Sequence, residues 1–132
     1  MNKNIYEGNC PVIYALTIIG GKWKLPLLWH LANNQNSIRY NELKRRLDGI
    51  TNIMLTRSLR ELEKDGLVTR VQYSEIPPHV SYSLTEQGEM LMPALLAIKK
   101  WGEQHREIRT DLRKKTSHIH DRSGSGSNSD HY

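Results

Sequence analysis

Cysteine is the strongly nucleophilic side chain of this 132-residue chain, and it occurs once, as Cys10. Cys10-Pro11 opens the apolar segment VIYALTIIGG, in which Val12, Leu16 and Ile19 share a helical face. Proline suits the first position of a helix, where its missing donor costs nothing, so the spacing puts Cys10 at the N-cap. The partial positive charge of a helix end favours a thiolate there. The competing reading is a small, buried apolar residue, the commonest fate of a free cysteine. A second set of residues has a different chemistry. In TNIMLTRSLRELEK, from Thr51 to Lys64, the residues Leu55, Leu59 and Leu62 fall at i, i+4 and i+7 on one side of a helix. At about 100° per residue the opposite side carries Ile53, Arg57, Arg60 and Lys64, flanked by Thr56. One side is apolar and the other cationic.

The remaining chemistry is sparse. Carboxylates are scattered, no glycine-rich phosphate loop or triad-like set occurs, and Cys10 has no sequence neighbour to serve as its base. His118 and His120 lie in a polar segment without the thiol partners of a structural zinc site. No catalysis, metal or cofactor is expected.

The cationic side must be positioned by the stretch from Arg39 to Arg70. Leu43 and Leu47 recur at i and i+4 ahead of Asp48-Gly49, a pair that favours chain reversal because glycine accepts positive φ. Thr51 is a good N-cap for the following helix, and Gly66 ends it at C′. A short helix, a glycine turn and a second helix with an outward basic face are the parts of a helix-turn-helix, whose second helix enters a DNA major groove. Next come LVTRVQY and VSYSL, two strand-like runs joined by the stiff SerGluIleProProHis at 74–79. This hairpin is a wing. It offers His79 as a cation and also Glu75, so its contribution to binding a polyanion should be modest.

Further elements frame this unit. Gly20-Gly21 breaks the first helix, and LysTrpLys at 22–24 leads into a second, in which Pro26 is near the start. Trp23 and Trp29 are expected in core and dimer packing, since aromatics dominate buried area in small domains. Thr85 caps a helix that Pro93 kinks or divides. Beyond it Leu95, Ile98 and Trp101 form an apolar stripe suited to a subunit interface. Residues 1–9 read as a mobile arm, 10–110 as one domain and 111–132 as a disordered polar tail.

The chain carries 19 basic and 14 acidic residues, a net charge of +5, and residues 71–98 contain no lysine or arginine. Cationic charge therefore gathers around the helix pair and the C-terminal segment, which suits a polyanion without requiring one. A single cysteine excludes an intramolecular disulfide and fits a reducing compartment. No apolar run approaches the about 20 residues of a membrane span, and the N-terminus lacks a signal-peptide core. A cytoplasmic protein with no membrane association is expected.

CysProVal at 10–12, IleGlyGlyLysTrp at 19–23, ArgTyrAsnGluLeu at 39–43, GlyIleThr at 49–51 and MetLeuThr at 54–56 follow one another in order. LeuArgGluLeuGlu at 59–63, AspGlyLeuVal at 65–68, ProPro at 77–78, TyrSerLeuThr at 82–85 and TrpGly at 101–102 continue the series. Over about residues 8–103 this pattern resembles the HxlR-type winged helix-turn-helix transcriptional regulators of bacteria, relatives of the MarR class. The resemblance implies a mainly α fold with a small β-hairpin wing and extra N- and C-terminal dimerisation helices. It implies a homodimer, joined through the first and last helices, on inverted-repeat operators. In some members the cysteine at the position of Cys10 senses oxidants or electrophiles such as quinones and aldehydes. No particular small-molecule effector is implied. Two positions depart from the pattern: Ile53 stands where a lysine is frequent, and His79 where the wing often has Arg or Lys.

On this reading Thr51, Asn52, Ile53, Thr56 and Arg57 face base edges, as the N-terminal half of a recognition helix does. Arg57 would pair with guanine, Asn52 with adenine, and Ile53 would meet a thymine methyl. Arg39, Lys44, Arg60 and Lys64 would hold phosphates, with His79 on the wing. The operator would be a pseudo-palindrome in double-stranded DNA. Val12, Leu16, Ile19, Leu95, Ile98 and Trp101 would form the dimer interface. The rival is a winged-helix domain that binds another protein.

Overall fold

The computed structural model describes residues 10–33 and 37–122, with side-chain surroundings as far as Thr116. The arm expected at 1–9, and the tail beyond Arg122, lie outside these residues. In chain order the elements are α1 (Pro11–Ile19), α2 (Lys24–Ala32), β1 (Ile38–Arg39), α3 (Tyr40–Arg46), α4 (Asn52–Lys64), β2 (Val68–Tyr73), β3 (His79–Leu84), α5 (Glu86–Glu89) and α6 (Met92–Arg122). The chain divides after Leu95 into two compact units, the second formed by α6 from Leu96 onward.

In the first unit the core gathers Leu27, Leu28 and Leu31 of α2, Leu43 of α3 and Leu47 just after it, and Leu55, Leu59 and Leu62 of α4. Ile38, Ile50, Leu67, Val68, Tyr82 and Leu95 complete it. Trp23 and Trp29 pack against this core half-buried, as their size dictates. The sheet has the antiparallel order β1-β3-β2. The hairpin expected between 67 and 84 is present, and a short third strand joins it, with Ile38 opposite Tyr82 and Arg39 opposite Ser81. Two residues are too few for an alternation to show in the sequence. Ile38 is recruited by burial beside Tyr82.

Helix ends follow local chemistry. Gly49 turns between α3 and α4 at φ 92°. Thr51 Oγ1 accepts from the Met54 amide at 3.1 Å. At the far end Gly66, at φ 81°, donates to the Glu63 carbonyl at 3.0 Å while the Leu67 amide donates to Leu62 at 2.9 Å. That pair of bonds is a Schellman cap, which stops the helix and sends the chain into β2. Thr85 Oγ1 then donates to the Gly66 carbonyl at 2.6 Å and accepts from the Gly88 amide at 3.1 Å. One hydroxyl thus ties the end of α4 to the start of α5.

The structure corrects the sequence reading at two places. Pro93 does divide the C-terminal helices, standing in the first turn of α6, but α6 runs to Arg122 instead of giving way to a tail at residue 111. Unbranched, charged residues such as Arg113, Lys114 and Lys115 are good helix formers, so polarity there does not mean disorder. Leu95, placed with the dimer stripe, is a core residue only 4% exposed. No helix among the described residues is long and apolar enough to cross a membrane.

Gly88 sits against the strand that leaves α4, and a Cβ there would run into the Leu67 carbonyl oxygen, which is backbone and cannot swing aside. Gly88→Ala should cost about 1–3 kcal/mol of stability through overpacking. Urea unfolding followed by circular dichroism measures it, and an unchanged midpoint would refute the close approach.

Candidate nucleic-acid interface

Packing fixes which side of α4 faces outward. Leu55, Leu59 and Leu62 are at most 1% exposed, and Ser58 joins them in the interior. Since Cβ positions recur every 3.6 residues, the opposite face is presented whole. Asn52, Arg57, Arg60 and Lys64 are exposed, Thr56 is half-buried, and Ile53 is 73% exposed. All of these but Lys64, together with Glu61, line an open depression along the helix. An isoleucine so bare beside two arginines is an apolar contact surface set within a cationic one.

Electrostatics keeps that face positive. Glu61 is the acid nearest the depression, and its carboxylate lies 2.8 Å from Lys24 Nζ on α2, which also donates to the Ile18 carbonyl at 3.1 Å. The hydrogen bond from Lys24 holds Glu61 below the ordinary carboxylate range against an opposing cost of burial, and the charges of Lys24, Arg57 and Lys64 add to the lowering. On α3, Glu42 meets Arg45 at 2.6 Å and Arg46 at 2.8 Å, and hydrogen bonds from both lower its pKa. Arg57, Arg60, Lys64 and Arg39 enter none of the ion pairs formed among the described residues. His30, on α2, is held below the ordinary histidine range by burial first and the Arg46 guanidinium second.

The site residues expected from sequence fall into three places. Asn52, Ile53, Thr56, Arg57, Arg60 and Lys64 come together on α4, with Thr51 exposed at its N-cap. Arg39 is the exposed N-cap residue of α3, and with Tyr40, Pro77, Pro78 and half-buried His79 it lines a second depression at the foot of the wing. There the His79 ring stacks on Tyr73 across the hairpin at 4.5 Å. Lys44 is half-buried on α3, less open than the cations of α4. Cys10 occupies the N-cap position of α1 as its spacing indicates, and it is exposed in the single chain.

Tyr40 was not among the expected site residues. Its hydroxyl stands 3.2 Å from the Asn52 carbonyl, 3.4 Å from Asn52 Oδ1 and 3.0 Å from Thr56 Oγ1. No local pattern announces this, because the partners lie 12 and 16 residues along the chain.

Two apolar surfaces are left open, one in each unit. α1 has no buried residue: Val12 is 64% and Leu16 54% exposed, while Ile19 leans on the core. On α6, Ile98, Trp101, Ile108 and Leu112 are each about half exposed or more, and Trp101 stacks on His105 at 4.9 Å. Positions 98, 101, 105, 108 and 112 follow the alternating three- and four-residue steps of a coiled-coil seam.

Comparison with known proteins agrees with this geometry. The family model described as HxlR-like helix-turn-helix matches residues 18–110. An uncharacterized HTH-type transcriptional regulator of Bacillus subtilis, YybR, is 48% identical over 108 residues, covering 80% of this chain and 85% of its own. Among solved structures, the redox regulator HypR in its oxidized form superposes with a TM-score of 0.67 at 49% identity, covering 72% of this chain and 96% of that one. Its reduced form gives 0.70 at 46% identity, with 77% and 99% covered.

The Lys24–Glu61 pair sets an acid limb for stability. Glu61 is lowered in the folded state, so its contribution is present above its ordinary value of 4.5 and is lost as pH falls through the native value. Glu61 is half exposed, which keeps the contribution below about 1 kcal/mol. Urea midpoints between neutral pH and pH ~3 should fall less steeply for Glu61→Gln than for the parent; parallel curves would show that the pair adds nothing.

Proposed function

The chain belongs to the HxlR-like helix-turn-helix family, and on that premise we propose that it regulates transcription as a homodimer whose two α4 helices read an inverted repeat in duplex DNA. The observation that carries the reading is the division of α4 into a leucine face with no exposure and a cationic face whose neighbouring acid is occupied by Lys24. Thr51, Asn52, Ile53, Thr56 and Arg57 stand in the N-terminal half of the helix and are assigned to base edges. Arg39, Lys44, Arg60 and Lys64 are assigned to phosphates, which anchor the protein without reading sequence. His79 adds a contact from the wing.

Spacing requires two copies. Recognition helices on successive major grooves stand about 34 Å apart, one turn of B-form DNA, so the operator is a pseudo-palindrome. The open apolar faces of α1, through Val12, Leu16 and Ile19, and of α6, through Ile98 and Trp101, are the surfaces that a second copy would cover. Ile108 and Leu112 extend the α6 seam and support this assignment. The protein acts in the cytoplasm, where its DNA is.

Regulation is assigned to Cys10. It is an exposed thiol at a helix N-cap, and HypR, 49% identical in its oxidized form, is a redox regulator. Oxidation or alkylation at the end of α1 would alter the interface that this helix supplies, and through it the distance between the reading helices.

Binding to duplex DNA should weaken steeply with added salt, as release of condensed counterions demands. Arg57→Ala should cost about 1–3 kcal/mol on the operator and relax its specificity, whereas Arg60→Ala should weaken operator and random DNA alike and reduce the salt slope by about one. Fluorescence anisotropy on both duplexes separates them; salt-independent binding would favour a protein partner for this face. Operator affinity should respond to diamide or a quinone in the parent and not in Cys10→Ala, and equal sensitivity of the two would remove Cys10 from the role.

A further inference from the structure

The Tyr40 hydroxyl touches three oxygens at the N-terminal end of α4 and no nitrogen. That inventory restricts where the protons go. A phenol has one proton to donate, while the backbone carbonyl and Oδ1 of Asn52 accept only. If Tyr40 donated to Thr56, its oxygen would face both Asn52 oxygens with lone pairs against lone pairs. The allocation without such a clash has Tyr40 donating to Asn52, at 3.2 Å to the carbonyl with Oδ1 at 3.4 Å, and Thr56 donating to the phenol oxygen at 3.0 Å.

Both consequences fall on the face assigned to base edges. The proton of Thr56 is spent, so toward solvent its hydroxyl presents lone pairs alone. Asn52 Oδ1 is turned toward the phenol, which leaves the two N–H donors of its amide outward. Asn52 and Thr56 are one helical turn apart on the same side of α4. Together they offer a donor followed by an acceptor, in fixed order.

We propose that Tyr40 is a positioning residue for operator specificity: by fixing the hydrogen-bond polarity of Asn52 and Thr56 it makes Asn52 a donor to a purine N7 or O6 and Thr56 an acceptor from an adenine or cytosine amino group. This inference rests on the DNA-reading assignment of α4. The major groove distinguishes base pairs by the order of donors and acceptors along their edges, so a hydroxyl free to rotate and an amide free to flip would accept more than one pair. Tyr40 reaches no base itself. It belongs to α3, so the first helix of the motif acts on what the second helix reads.

The test is selection of bound duplexes from a randomised library, using the full chain and its Tyr40→Phe variant, with affinity for random DNA and thermal stability measured alongside. The parent should enrich a pseudo-palindrome. Tyr40→Phe, which removes one oxygen from a half-buried ring, should keep its affinity for random DNA and its salt slope. It should lose about tenfold of its discrimination at one or two adjacent base pairs in each half-site. Thr56→Val should relax the same positions, and the double variant should add little to either. An unchanged preference in Tyr40→Phe, or a loss spread equally over every position and over random DNA, overturns the proposal and leaves the DNA-reading assignment standing. A parent chain that enriches no sequence overturns both. If Tyr40→Phe melts early, the selection is run well below its melting temperature, where the same outcomes decide.

Discussion

The burial of three leucines sets the rotation of α4 about its own axis, and most of what this protein presents to its surroundings follows from that rotation. Leu55, Leu59 and Leu62 cannot leave the interior without exposing apolar area worth about 1.5–3 kcal/mol each. Every other residue of the helix is then placed by 3.6-residue periodicity. Arg57 and Lys64 point outward because their neighbours are committed inward. The capping bonds at Thr51 and Gly66 fix where the helix begins and ends, and hence which turn stands foremost.

A cationic face works only if local acids are offset, and two pairings do this. Lys24 reaches from α2 to pair with Glu61 in the lining of the depression, and Glu42 is enclosed by Arg45 and Arg46 on α3. Pairs of this kind contribute little to stability when half exposed. Their effect is on the field. On the outward face of α4 Arg57, Arg60 and Lys64 enter no ion pair among the described residues, and one bare isoleucine, Ile53, stands beside them.

The apolar surplus has a different logic. A 132-residue chain has enough leucine for its core without α1, whose side chains stay largely in solvent, or the outer part of α6. Exposed stripes of that extent are costly in a monomer and ordinary in an oligomer. The helix that continues to Arg122 carries the seam past the region matched by the family model, which ends at residue 110.

Much of this was legible in the sequence because it depends on neighbours three, four or seven residues apart. The faces of α4, the turn at Gly49, the caps at Thr51, Gly66 and Thr85, the hairpin, and the place of Cys10 are all statements about local periodicity or local backbone chemistry. What the sequence left open, or placed wrongly, depends on residues far apart in the chain. Leu95 reads as one more member of a stripe, and only the core shows that its space is already provided. The pairing of Ile38 with Tyr82, the reach of Lys24 to Glu61 and the meeting of Tyr40 with Asn52 and Thr56 join segments that no periodicity relates. The sequence by itself determined which face of α4 is cationic, since that needs only the pitch of a helix. Tertiary structure alone decided which of those side chains is free to donate or accept, because a hydrogen bond is settled by the partner that packing brings within reach.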